Sequence, residues 1–139
     1  MPMQAAHGYF EHDADIGIIG RGTTLEEAFV SAARAMFAIQ ADFDSLRPRE
    51  GIELDFEEED VELALVKWLN ALLAASRDRA VALCEFGLAR RGSRWLGWAR
   101  GERWREGLVR GTEVKGATLT MLSVAQGAAG LEARCVVDV

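Results

Sequence analysis

A helix-capping signal followed by a single apolar stripe fixes the first long element of this chain. Thr24 and Glu27 stand three residues apart as in a capping box, where the threonine side chain accepts the N3 amide and the glutamate reaches back to the cap. Apolar residues then recur at steps of three and four: Leu25, Ala28, Phe29, Ala32, Ala33, Met36 and Phe37. This spacing predicts a helix that begins after Thr24 and packs one face on a core.

A second helix is predicted after a run of four acids at positions 57–60. Asp60 is a suitable N-cap, and acids stabilise the positive end of a helix dipole, so the acid run needs no ligand to explain it. The apolar residues that follow have helical spacing: Val61, Leu65, Trp68, Leu69 and Leu72.

The remaining runs are typical of strands. They lie at 8–12, 16–21, 52–56, 81–90, 94–100, 112–124 and 131–139, and glycines mark several of the turns between them. Two short strands, a helix, a strand, a helix and a series of antiparallel strands predict an α+β fold, with a mainly antiparallel sheet and two helices on one face. We find no repeat and expect one domain over residues 1–139, a length sufficient to bury about two thirds of the unfolded surface.

Composition narrows the class of protein. Cys84 and Cys135 are far apart and each lies in an apolar run, so we interpret both as core thiols. No run approaches the roughly 18 apolar residues of a membrane span, and no export signal opens the chain. We therefore expect a cytoplasmic protein.

The charges are unevenly distributed. Residues 1–62 carry 15 acids and 4 bases, whereas residues 63–139 carry 7 acids and 12 bases, for an overall net charge of −6. An acidic chain does not favour broad binding of nucleic acid phosphates. Seven arginines between positions 90 and 110 either form the solvated rim of a hairpin or dock an acidic partner, protein or RNA. For the tryptophans among them we favour core packing over a stacking surface for RNA.

The residues His12-Asp13-Ala14-Asp15 raise the question of a metal site. Hard cations such as calcium need several oxygen ligands, and the candidates are Asp13, Asp15, Asp42, Asp138 and the carboxylate of Val139. Spacing alone does not show that these residues converge, and by itself it favours a polar turn. We find no nucleophile setting and no glycine-rich nucleotide motif, and we do not favour His12 as a catalyst.

Several segments taken together resemble one family, the archeases. They are "HDADIGI", "GTTLEEAFVSAARAMFAIQAD", "ALVKWLNALL", "GTEVKGATLTML" and the terminal "CVVDV", and in order and spacing they cover nearly the whole chain. The resemblance implies an accessory protein, not itself an enzyme, that promotes guanylylation of an RtcB-type RNA ligase by GTP and its repeated turnover in tRNA splicing or RNA repair. Contact with RNA would be indirect or transient.

The resemblance also implies a divalent metal ion, calcium by preference, held by Asp15, Asp138 and Val139. His12 and Lys115 match family positions and are expected to support the structure or dock the partner. The chain departs from the family at Asp13, where threonine is usual, and Asp42 matches an acidic position after the first helix. Two alternatives stay open: an independent metal-dependent hydrolase using the same acids, and a chaperone or scaffold without metal.

Overall fold

The computed structural model describes residues 7–12 and 15–139 of the chain. Its described part contains two α-helices, α1 (Leu25–Gln40) and α2 (Val61–Arg79), and a short 3-10 helix at Phe43–Ser45. The strands are β1 (His7–His12), β2 (Asp15–Gly22), β3 (Glu50–Glu57), β4 (Val81–Arg91), β5 (Arg94–Arg103), β6 (Gly116–Ala117), β7 (Ser123–Gly127) and β8 (Gly130–Asp138).

These strands form two sheets in which every pair is antiparallel. In the first sheet β2 lies between β1 and β8, and the other edge of β8 pairs with β7 near its start and with β6 near its end. In the second sheet β5 lies between β3 and β4. The predicted α+β class with two helices and antiparallel strands is confirmed. The strands are divided between two sheets, and α1 packs against both, on β2 and on β4.

Both helices begin where the capping signals predict. The Thr24 hydroxyl accepts a hydrogen bond from the Glu27 amide at 3.1 Å, and the Asp60 carboxylate accepts from the amides of Glu62 and Leu63 at 2.9 and 3.0 Å. One detail differs from a capping box. The Glu27 carboxylate reaches one residue further back, to the amide and hydroxyl of Thr23, and these hydrogen bonds lower the pKa of Glu27.

A glycine brings α1 into direct contact with β2. A Cβ atom at Gly20 would overlap the carbonyl oxygen of Ala28 and the amide nitrogen of Ala32. The backbone of the helix therefore lies directly on the strand, which fixes the position of β2 relative to the core.

Aromatic residues fill the core between the helices and the second sheet. Trp95 is fully buried and stacks between Phe29 and Phe56, with ring centroids 5.1 and 6.0 Å apart. Trp68 is also fully buried, and its indole N–H donates to the Phe29 carbonyl at 3.0 Å. Core packing is thus confirmed for these two tryptophans. It is wrong for Trp98, which is 45% exposed because it stands three residues from Trp95 and so faces the other side of β5.

The strand predicted over residues 112–124 is wrong. Only two short pieces of it are strands, β6 and β7, and a turn with Met121 at a φ of 53° separates them. Several backbone groups ahead of β6 bond to side chains of the two helices, whereas the Lys115 amide bonds to the Asp138 carbonyl of β8.

Both cysteines are buried and free, as predicted. Within the described residues, neither helix has the length and apolar composition that crossing a bilayer requires.

Candidate functional site

The pairing of the second strand with the last strand brings Asp15 and Asp138 to the same end of the strand pair. The register of β2 and β8 ends with Ile16 opposite Val137. One residue further along each antiparallel strand stand Asp15 and Asp138, at the same end of the pair. If the register continues by one residue, the two acids lie opposite each other, and residues at opposite positions have Cβ atoms about 5 Å apart and point to the same side of the sheet. The two acids, 123 positions apart in sequence, thus meet at one sheet end.

The two carboxylates lack a neutralising partner in the described part of the chain. Asp15 is half-buried and Asp138 is exposed, and neither side chain forms an ion pair or hydrogen bond there. The opposite end of the same strand pair is different. There Arg21 faces Glu132 and binds its carboxylate at 3.1 Å, which holds the pKa of Glu132 below its usual range. Facing like charges destabilise a sheet, so a cation between Asp15 and Asp138 would relieve a local cost.

The described side chains at this sheet end supply only some of the oxygen ligands that a hard cation needs. No three His, Cys, Asp or Glu side chains among residues 7–12 and 15–139 lie close enough together to hold a metal ion. Asp15 and Asp138 therefore supply two carboxylates. Val139 follows Asp138 directly and offers main-chain oxygen. Calcium takes six to eight oxygen ligands, so water or a partner would complete such a site.

Other predicted candidates lie elsewhere or outside the described residues. His12 is the strand partner of Asp15 in the β1–β2 pair, but its side chain is not described, and Asp13 lies outside the described residues. Asp42 is exposed, and its carboxylate accepts the Asp44 amide at 3.1 Å as the cap of the 3-10 helix. This capping role explains Asp42 without a metal.

Residues 111–117 pass beside the end of β8. The Lys115 amide donates to the Asp138 carbonyl at 2.7 Å, and Gly116 is the strand partner of Asp138. The Lys115 side chain itself is exposed. Asp138 is consequently fixed between β2 on one side and this segment on the other.

Sequence reasoning missed the helix residues that hold this segment, namely Gln40, Asn70 and Arg77. A signal for one of them was present. Asn70 interrupts the apolar series "WLNALL" on α2, and a half-buried polar residue in such a series needs a hydrogen-bonding partner. Its partner could not be read from the sequence.

Neither cysteine lies in a setting that activates a thiol, and burial disfavours the charged form of His7. Burial raises the pKa of the Cys135 thiol to about 12, and burial together with the Glu85 carboxylate raises the pKa of Cys84. Burial and the nearby charges of Arg34 and Arg21 lower the pKa of His7. Thiols of raised pKa are poor nucleophiles, which agrees with the interpretation of both cysteines as core residues.

Three of the seven arginines between positions 90 and 110, namely Arg94, Arg100 and Arg105, form ion pairs with acids of the same chain. Arg94 binds Asp55 and Glu57 at 2.7 and 3.0 Å, and Arg105 binds Glu102 at 2.9 Å. Two further arginines stack on tryptophans: Arg90 on Trp95 and Arg110 on Trp104. These contacts favour the solvated rim over a surface that docks an acidic partner.

A cleft of about 470 Å³ lies elsewhere, between β2, α1 and β4. Its lining includes His7, Arg21, Glu26 and Arg34, and neither Asp15 nor Asp138. The facing aspartates are therefore on an open sheet end, separate from this cleft. An exposed arrangement suits contact with another macromolecule better than enclosure of a small substrate.

Comparisons with known proteins agree along nearly the whole chain. Residues 7–139 match a family model described as the Archease protein family. The sequence is 32% identical to Protein archease of Methanosarcina mazei over 151 aligned positions, which cover 100% of both chains. It is 32% identical to Protein archease of Sulfolobus acidocaldarius over 134 residues, 94% of this chain and 96% of that protein. A third match, 46% identical to Protein archease of Thermococcus gammatolerans, spans 47% of this chain and only 46% of that relative's length.

Two solved structures share the fold. The solution structure of Methanobacterium thermoautotrophicum protein 1598 has a TM-score of 0.83 and 27% identity, and the match covers 96% of this chain and 99% of that one. A crystal structure from Thermotoga maritima, described as an archease and possible chaperone, has a TM-score of 0.67 at 21% identity, with 100% and 99% of the two chains covered. At that identity the second likeness shows the fold alone.

Proposed function

This chain belongs to the archease family, and we propose that it is an accessory protein that promotes the GTP-dependent guanylylation of an RtcB-type RNA ligase. In this role it would support multiple turnover of the ligase in tRNA splicing or RNA repair, in the cytoplasm. The proposal assigns the chemistry of joining to the ligase and no catalytic residue to this chain. It also includes a divalent cation, calcium by preference, held by Asp15, Asp138 and a main-chain oxygen of Val139.

One observation carries the cation part of the proposal. Asp15 and Asp138 stand one residue beyond the last register pair of β2 and β8, where continued pairing would place them opposite each other, and neither is neutralised by a described residue. A fold that keeps two like charges at facing positions accepts a small loss of stability there. Such a cost is typical of residues retained for binding and not for folding.

Each residue has a separate task in this arrangement. Asp15 and Asp138 hold their carboxylates on the same side of the sheet, because facing residues of an antiparallel pair point the same way. The β2–β8 pairing orients them, since Val137 beside Asp138 is fully buried in the core. When bound, a divalent cation neutralises such carboxylates and can also attract phosphate oxygens of a nucleotide. The exposed side chain of Asp138 at the end of the strand pair would be accessible to the nucleotide pocket of a partner.

A labelled-nucleotide assay tests the proposal directly. Purified ligase, labelled GTP and a divalent cation are mixed with substoichiometric amounts of this protein, and label transfer to the ligase is followed over time. We expect the wild type to accelerate transfer, and Asp15→Asn and Asp138→Asn to lose most of that acceleration. Asp78→Asn is the matched control, since Asp78 is an exposed acid on α2 without an ion pair to any described residue.

Three results would contradict the proposal in different ways. Site variants as active as the wild type would remove the aspartates from the mechanism. Hydrolysis of GTP by this protein without ligase would indicate an independent metal-dependent hydrolase. Acceleration that needs neither cation nor aspartates would indicate a scaffold without metal.

A further inference from the structure

Residues 111–117 have a backbone that is held mainly by the two helices. The amides of Gly111 and Thr112 donate to the carbonyls of Gln40 and Ile39 at 2.8 and 3.0 Å, at the end of α1. The Val114 amide donates to the side-chain oxygen of Gln40 at 2.9 Å. Val114 is fully buried, which anchors the middle of the segment in the core.

Two side chains of α2 complete this support. The Asn70 side chain accepts from the Ala117 amide at 2.9 Å and donates to the Ala117 carbonyl at 3.1 Å. It therefore contacts β6 as the backbone of a neighbouring strand would. One Nη atom of Arg77 donates to the carbonyls of Val114 and Lys115 at 2.7 and 2.6 Å. Hydrogen bonds from a charged donor are among the stronger ones in proteins.

The supported segment in turn holds the end of β8. The Lys115 backbone amide donates to the Asp138 carbonyl at 2.7 Å, and Gly116 pairs with Asp138. Strand ends lose their order readily unless other groups hold them. The order of Asp138 therefore depends on a segment whose own order depends on α2.

We propose that Asn70 and Arg77 are positioning residues that fix Asp138 opposite Asp15. Neither side chain would touch the cation. They act through the backbone of residues 114–117, as outer groups orient the ligands of many metal sites. The inference rests on the proposed function where it concerns the cation, and on the hydrogen bonds alone where it concerns the order of the strand end.

The experiment compares Asn70→Ala, Arg77→Met and Arg77→Lys with the wild type. Arg79→Met is the matched control, because Arg79 lies on the same helix, two residues away and exposed, without an ion pair to a described residue. Hydrogen exchange of the Lys115 amide, in metal-free buffer, reports the order of the strand end. Exchange of the Trp68 indole N–H, which is buried and bonded to Phe29, reports global opening. Calcium titration of the same samples gives the dissociation constants.

We expect Lys115 exchange to accelerate in Asn70→Ala and Arg77→Met relative to Trp68 exchange, and the calcium dissociation constant to rise at least about tenfold. Arg77→Lys should recover part of both effects, since lysine keeps the charge and reaches one carbonyl, and Arg79→Met should match the wild type. Unchanged Lys115 exchange overturns the inference. So does faster Lys115 exchange with an unchanged dissociation constant. A wild type without calcium affinity refutes the cation site instead, and accelerated Lys115 exchange would then still support the positioning of Asp138.

Discussion

Replacing Asp138 with asparagine should stabilise the metal-free protein and abolish its stabilisation by calcium. The substitution removes one of two facing charges at nearly constant size. Facing like charges on strands cost about 0.2–1 kcal/mol in proteins. The metal-free variant should therefore be more stable by a few tenths of a kcal/mol up to about 1 kcal/mol, which corresponds to a Tm increase of about 1–4 °C for a chain of this size.

In excess calcium the wild type should become more stable than Asp138→Asn. A ligand that binds only the folded state stabilises it by about 2.7 kcal/mol at a hundred times its Kd. Wild type should gain this amount and Asp138→Asn very little. Thermal unfolding in chelator and in excess calcium measures both effects. Glu132→Gln is the matched control on the same strand: it removes the carboxylate that binds Arg21, so it should lower Tm in both buffers and leave the calcium response intact.

Two outcomes would refute this reasoning. A metal-free Asp138→Asn protein that is less stable than wild type would show that Asp138 stabilises the fold as an anion, contrary to the like-charge interpretation. An equal calcium response in the two proteins would show that Asp138 does not bind the cation.

Four further predictions concern the fold. Gly20→Ala should lower the free energy of unfolding by about 1–3 kcal/mol in urea, because the added methyl group meets helix backbone that cannot yield; an unchanged midpoint would contradict the close packing of α1. Asp60→Ala should cost about 1 kcal/mol in the same assay, since two amides at the start of α2 lose their acceptor. The Cys135 thiol should resist alkylation at pH 8 until the protein unfolds, and rapid alkylation of the native form would contradict its burial. Because burial raises its pKa from 9.0 to about 12, the unfolded chain loses this proton first, and stability measured by urea unfolding should fall as pH rises from about 9 towards 12.

The local elements could be predicted from sequence because their signals are local. Thr24 and Asp60 mark the helix starts through hydrogen bonds that span two or three residues. The alternation of Ala133, Cys135 and Val137 predicts the buried face of β8, and all three are buried. Division of the strands into two sheets was not predictable in this way, since it depends on which strands pair across long separations.

Residues 112–124 show why the prediction of one long strand is wrong. Their apolar pattern is compatible with one long strand, but Val114 and Lys115 bond to Gln40 and Arg77, whose places in the fold are set by the packing of both helices. Side-chain partners from distant helices leave no periodic signal in the segment itself. The prediction of core packing for Trp98 is wrong for a different reason. A spacing of three residues from Trp95 puts Trp98 on the opposite face of the strand.

The candidate site was predictable only through the family resemblance. Spacing within the His12 to Asp15 stretch gave no reason to prefer a metal over a polar turn. The facing positions of Asp15 and Asp138 depend on the pairing of β2 with β8, which joins opposite ends of the chain. Neither the spacing nor the resemblance identified Asn70 and Arg77, since Arg77 bonds to the backbone of the irregular residues 111–115 and Asn70 to Ala117 in the two-residue strand β6.

The yield of joined RNA per ligase molecule tests the central claim most directly. Ligase, GTP, calcium and an excess of RNA ends are incubated with this protein at a small fraction of the ligase concentration. We predict several joins per ligase molecule with the wild type, and no more joins than ligase alone achieves with the Asp15→Asn/Asp138→Asn double variant. An equal yield with and without the wild type, or a double variant as effective as the wild type, would contradict the account.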